Sequence, residues 1–273
     1  MFKILYTFIF VIYLLEIGTA YSATKYKSTK TPTVDISYYQ KNPTNCYEAT
    51  GNTGKSGVYT LDIEGKSFLA YCEADINGGG WLVIQRRQDG TVDFNRNWTD
   101  YQSGFGNING EFFFGLNKLH TLTNKTAHEL MIVTRLFDST VLDGKYDYFL
   151  VGSETEGYSL KKLGFPSGII TFSLGWNEGL KFWTKDRYNN SLCNKNLTEA
   201  ISGGWWTNCL DHRDFYVKEA FLLPPIMSFY DFANTNLNGI YNREDNTNED
   251  LSIGVDRNMT IKFVQMMIRP TGF

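Results

Sequence analysis

From Trp81 to Arg86 the chain carries Trp81, Val83 and Gln85 on one face of an extended segment and Leu82, Ile84 and Arg86 on the other. Apolar residues dominate both faces, which predicts a strand buried on both sides. Gly78, Gly79 and Gly80 lead into it and permit close chain approaches that a Cβ would forbid. Asp89-Gly90 then reads as a turn, with Val92 and Phe94 restarting an alternating strand. Upstream, SGVYTLDIEGKSFLAYC alternates about Glu64-Gly65 and predicts a hairpin. Downstream, Trp98, Tyr101, Phe105, Phe112, Phe113 and Phe114, interspersed with glycines, predict a compact aromatic layer, while Leu116, Leu119 and Leu122 have the spacing of a short amphipathic helix. LMIVTRLF and YDYFLVG predict further strands of an antiparallel sheet, turning at Asp143-Gly144.

The first twenty residues combine Lys3, an apolar run from Ile4 to Leu15 and a small-residue end at Gly18 and Ala20. They read as a secretory signal peptide cut after Ala20, because a dozen apolar residues fall short of the roughly 20 that a spanning helix needs. No second run approaches spanning length, so a secreted, extracellular chain is expected. Residues 21–44 are rich in Lys, Ser and Thr, contain Pro32 and Pro43, and read as a polar linker without heptads or a Gly-X-Y period. A formal net charge of −3 argues against a partner held by phosphate electrostatics, and 16% aromatic residues supply a large core.

Four cysteines without a CxxC, in an oxidising compartment, imply two structural disulfides, and three pairings are open. Asn97, Asn124, Asn189, Asn196 and Asn258 each open a glycosylation sequon. Catalytic signatures are missing: there is no Gly-x-Ser-x-Gly and no P-loop, and His128-Glu129 lacks a zincin's second histidine because Ile132 stands there. Asp211, His212 and Asp214 read as a polar loop, and the acidic run from Glu244 to Asp250 as a solvated face. An enzyme is not expected.

The run GGGWLVIQRRQDGTVDFNRNWTDYQSGFGNINGEFFFGLNKLHTLT, with GLKFWTKDRYNN, GGWW, NLNGIY and MMIRP after it, resembles the signature of the fibrinogen C-terminal globular domain. The module is shared by fibrinogen chains, ficolins, tachylectin-like lectins, tenascins and angiopoietins. The resemblance spans residues 45–270. It implies an α+β fold with a twisted antiparallel sheet, short helices and a loop-rich binding subdomain, and it pairs Cys46 with Cys72 and Cys193 with Cys209. It also implies a calcium loop at Thr184–Asn190, in which Asp186 matches the first carboxylate but Tyr188 and Asn190 replace the next two. Calcium affinity follows the number of charged oxygens, so the site is expected to be weakened or lost. Beside it, the resemblance places a pocket for acetyl groups formed by Trp205, Trp206, Asn208, Cys209 and Tyr241, with the Asn208-Cys209 bond at the family's cis position.

Two departures qualify the transfer. Leu210 replaces the histidine that often follows the last cysteine, and an apolar insertion at about 210–235 separates it from Asn236-Leu-Asn-Gly. That insertion reads as a ligand loop, as an element packed over the pocket, or as a product of imperfect gene assembly; the uninterrupted look of its flanks favours the last. The resemblance implies a lectin of innate defence for acetylated glycans or cell-surface glycoproteins. The alternative is a receptor-ligand or matrix-adhesion protein that does not read sugar. Neither a coiled coil nor a collagen stalk is present to specify an oligomer.

Overall fold

The apolar run beginning at Trp81 becomes the strand β3, Trp81–Arg87, and all seven of its side chains are buried. The computed structural model describes residues 42–51, 53–168, 174–175, 177–187, 203–207, 236–239, 241 and 261–272. Around β3 the described residues build a ten-stranded sheet. A short helix α1 (Cys46–Gly51) precedes the hairpin β1 (Gly57–Ile63) and β2 (Lys66–Glu73), which turns at Glu64-Gly65 with both residues at positive φ. Cys46 is disulfide-bonded to Cys72, which ties α1 to β2. Gly78, Gly79 and Gly80 also take positive φ, and a Cβ on Gly79 would stand 2.5 Å from the Ala74 carbonyl oxygen.

After β3 come α2 (Trp98–Ser103), the two-residue strands β4 (Phe105–Gly106) and β5 (Phe112–Phe113), and α3 (Leu116–Lys125), which buries Leu116 and Leu119. Then follow β6 (His128–Leu136), β7 (Val141–Val151), β8 (Leu160–Leu163) and β9 (Pro166–Gly168). The last described strand, β12 (Ile261–Pro270), inserts between β3 and β6, giving the order β1-β2-β3-β12-β6-β7-β8. β5 pairs with β3 and β4, and β9 pairs with β7. All these pairings are antiparallel. A separate two-stranded sheet joins β10 (Phe182–Trp183) to β11 (Trp205–Trp206). The expected α+β class and antiparallel sheet are the observed ones.

Two local expectations fail. Asp143-Gly144 is not a turn but part of β7, paired with Val133 and Ile132 of β6. The chain reverses earlier, around Ser139, where φ is 73°. Val92 and Phe94 form no strand, because the N–H of Val92 is taken by a side chain rather than by a ladder partner.

The aromatic layer fastens the small sheet to the large one. Tyr101 sits at its centre, with ring centroids 5.0 Å from Phe105 and Phe113 and 5.1 Å from Phe182. Phe182 in turn meets Trp206 edge-on at 5.3 Å. At the other end of β12, Arg269 lies 4.2 Å over the Trp81 ring and donates to Glu129 and to the Asn77 and Gly79 carbonyls. One guanidinium thereby joins β12, β6 and the glycine turn, and its buried charge is matched.

Candidate recognition cleft

The end of β3 and the chain after it are organised by a buried carboxylate. Glu111 Oε1 accepts the N–H groups of Gln88, Asp89 and Gly90 at 2.8, 3.1 and 3.0 Å, and Oε2 accepts that of Val92 at 3.0 Å. Four donors that would otherwise need a sheet partner are satisfied by one side chain. Arg87 Nε lies 3.6 Å from Oε1, so this buried charge has a counterion. The Arg87 guanidinium sits 3.9 Å over the Phe94 ring and donates from Nη1 to the Gly239 carbonyl at 2.6 Å. Burial lowers its pKa from the ordinary arginine value, with Glu111 opposing the shift.

The facing wall is the Asn236–Gly239 turn. Gln85 Nε2 donates to the Leu237 carbonyl and to Asn238 Oδ1. Asn238, fully buried, passes the connection on by donating to the Gly204 carbonyl at 2.8 Å. The Tyr101 hydroxyl donates to the Phe94 carbonyl and accepts the Gly204 N–H, and burial pushes its pKa up. Gly203 fits here because its φ is +84° and a Cβ would stand 2.1 Å from the Asn238 carbonyl oxygen. Between these walls opens a cleft of about 350 Å³. Its described lining combines the backbone of Gly90, Gly203 and Gly239 with Asp93, Asn95 and the ring of Tyr241. The Tyr241 hydroxyl lies 2.9 Å from the Lys262 carbonyl and 3.1 Å from that of Gln88 and donates its one proton to either, which fixes the ring. A rigid aromatic wall facing carboxylate, amide and backbone groups suits a small polar ligand with an apolar face.

Of the residues singled out in the sequence, Tyr241 lines this cleft. Trp205 and Trp206 are each 1% exposed. They pack on one another at 5.3 Å, and neither is among the described lining residues. Trp206 Nε1 donates to the Tyr158 carbonyl, whereas Trp205 Nε1 has no hydrogen-bond partner among the described residues. Asn208, Cys209, Cys193, the sequons at Asn189, Asn196 and Asn258, and the insertion at 210–235 lie outside the described residues, as do the expected leader and most of the expected linker. Asn97 and Asn124 are exposed. Arg87, Glu111 and Asn238, which shape the cleft, were not singled out beforehand. The available signal was an Arg closing a buried strand just before Asp-Gly.

Residues 42–218 match the family model described as fibrinogen beta and gamma chains, C-terminal globular domain. The chain belongs to this family. Relatives include chicken (Gallus gallus) tenascin-R, 34% identical over 84% of this chain and 15% of its own length. Human (Homo sapiens) ficolin-3 is 37% identical over 63% of this chain and 58% of its own. The chain thus spans under two thirds of the length of these relatives. Among solved structures, the fibrinogen-like globe domain of human ANGPTL2 superposes with a TM-score of 0.70 at 30% identity, covering 84% of this chain and all of that one. Lamprey fibrin D-dimer, complexed with a Gly-His-Arg-Pro-amide peptide, shares the fold at a TM-score of 0.64 and 24% identity, over 99% of this chain and 86% of that one.

Within this fibrinogen-like domain, Asp186 is engaged internally. Its Oδ1 accepts the Trp98 N–H at 2.9 Å and the Thr184 hydroxyl at 2.8 Å. Cationic side chains flank it: Lys185 donates to the Asn95 carbonyl at 2.6 Å, and Arg187 stacks 3.9 Å over Trp98 while pairing with Glu154. Among the described residues no three His, Cys, Asp or Glu side chains stand together as metal ligands. Calcium asks for six to eight oxygens, and among the described residues of the loop Asp186 offers a single, already bonded carboxylate, while residues 188–190 lie outside them.

Proposed function

We propose that this fibrinogen-like domain is part of a secreted recognition protein that binds acetylated carbohydrate and catalyses no reaction. The observation that carries this reading is the cleft walled by Tyr241 and floored by backbone brought close at Gly90, Gly203 and Gly239. An acetyl group presents an apolar methyl to the Tyr241 ring and a carbonyl to the Asn95 amide, and sugar hydroxyls suit Asp93 and Asn95. The similarity to ficolin-3 supports it. A single shallow site of this kind binds in about the millimolar range, near 4 kcal/mol, so the biological unit would present several copies.

Retention on N-acetylglucosamine resin with elution by the free sugar tests the proposal. Tyr241→Ala is expected to weaken retention roughly tenfold, about 1.4 kcal/mol. A wild-type protein that passes through unretained sinks it. A second reading, a receptor ligand or matrix-adhesion protein, is favoured by the burial of Trp205 and Trp206, which leaves the half-buried Tyr241 as the accessible aromatic of the expected set. The relatedness to tenascin-R and angiopoietin-related protein 6 supports it equally. No resin retention, together with saturable capture on a protein-coated surface, would select it.

A further inference from the structure

Asn97 occupies the position before α2 where an asparagine side chain ordinarily accepts a hydrogen bond from the first helical turn. It makes no such bond. Most of the nearby donors are already taken: Asp186 accepts the Trp98 N–H, and the Asn97 backbone carbonyl accepts those of Asp100 and Tyr101 at 3.1 and 3.2 Å. The Asn97 carboxamide is left exposed, with no hydrogen bond to any described residue, and Thr99 of the same Asn-Trp-Thr sequon is exposed as well. The cation-flanked loop at residues 184–187 does the capping, and the asparagine faces solvent.

Asn97 is also two residues from Asn95, which lines the cleft. Two residues of chain span at most about 7 Å. Lys185 holds the Asn95 carbonyl and Asp186 holds the Trp98 N–H, so both sides of Asn97 are pinned and anything attached there is rooted beside the opening. We propose that Asn97 carries an N-linked glycan that fences the rim of the cleft and narrows the set of ligands it admits. The Asn97 amide nitrogen bonds to the anomeric carbon of a lipid-pyrophosphate-linked oligosaccharide and loses a proton. The anomeric C–O bond breaks, and the lipid pyrophosphate leaves with that electron pair. The glycan part rests on the reading of the chain as secreted, and the fence on the reading of the cleft as a sugar site.

Asn124 supplies the internal control, because its sequon is equally exposed, on the last turn of α3, and contributes nothing to the cleft. The full chain is expressed in a eukaryotic secretory host, and peptides from the medium are mapped by mass spectrometry after enzymatic deglycosylation in heavy-oxygen water. Conversion of Asn97 to labelled Asp is expected. Secreted protein with Asn124 labelled and Asn97 bare overturns the proposal while leaving secretion intact, and absence of the protein from the medium overturns both. For the fence, Thr99→Ala is expected to raise retention on N-acetylglucosamine resin several-fold, with Thr99→Ser restoring the wild-type value and Thr126→Ala changing nothing. Equal retention of Thr99→Ala and wild type overturns the fence. No retention by any of them overturns the sugar reading and the fence with it, leaving the peptide map to decide the glycan.

Discussion

Glu111 shows how much one side chain can hold. Removing its carboxylate strands four backbone donors and leaves the Arg87 guanidinium buried without a counterion. Glu111→Ala is therefore expected to cost about 3–5 kcal/mol in denaturant unfolding, in the range measured when one partner of a buried pair is lost. His128 gives a second residue-scale outcome. It is buried, its Nδ1 donates to the Thr126 carbonyl at 2.7 Å, and desolvation lowers its pKa below the usual 6.5. The folded chain keeps this ring neutral while the unfolded chain protonates it near pH 6.5. Stability falls as pH drops through that value and is fully present above it. His128→Gln should flatten this part of a Tm profile taken between about pH 7.5 and 5.5. None of this was legible beforehand, since nothing in the sequence near Glu111 announces that its carboxylate replaces a strand partner for residues 88–92.

At the scale of elements, the pattern of side chains reported the buried runs well and the reversals less well. β3, the Glu64-Gly65 hairpin and α3 fall where periodicity places them, because each satisfies its backbone locally or buries a continuous face. Asp143-Gly144 misled for a physical reason. Gly144 lies opposite Gly168 in the β7–β9 pairing, and a Cβ on Gly168 would stand 3.0 Å from the Gly144 Cα, so the glycines serve close strand contact. Val92 and Phe94 alternate like a strand, but they serve the cleft wall instead. Gly203→Ala would force an L side chain into a positive-φ position against Asn238. Its expected cost is about 1–3 kcal/mol from backbone strain, read as a lower Tm accompanied by weaker retention on the sugar resin. The Cys46–Cys72 bridge closes a separation of 26 residues. Replacing both cysteines by alanine should remove about 3 kcal/mol in denaturant unfolding.

Across the whole molecule, the resemblance read from the Gly-Gly-Gly-Trp stretch and the match of residues 42–218 agree on one scaffold, while the ligand-facing parts were only partly legible. A scaffold is specified by many ordered positions, but a site depends on a few side chains whose partners come from distant segments, as Arg87 meets Gly239 and Asp186 meets Trp98. Because Lys185 and Arg187 flank the lone carboxylate, saturating calcium or a chelator should leave Tm unchanged, and a saturable calcium-dependent rise would contradict that account.

The placement of β12 carries a consequence for how the protein is made. Val264 pairs with Arg87 on one side and Thr134 on the other, so the middle of the sheet is filled by a stretch the ribosome delivers long after both of its neighbours. Until residues 261–270 emerge, β3 and β6 each present an open edge, without the strand that joins them. A premature stop before Ile261 would yield two half-sheets for the cell's quality control to hold or destroy, not a shortened working domain.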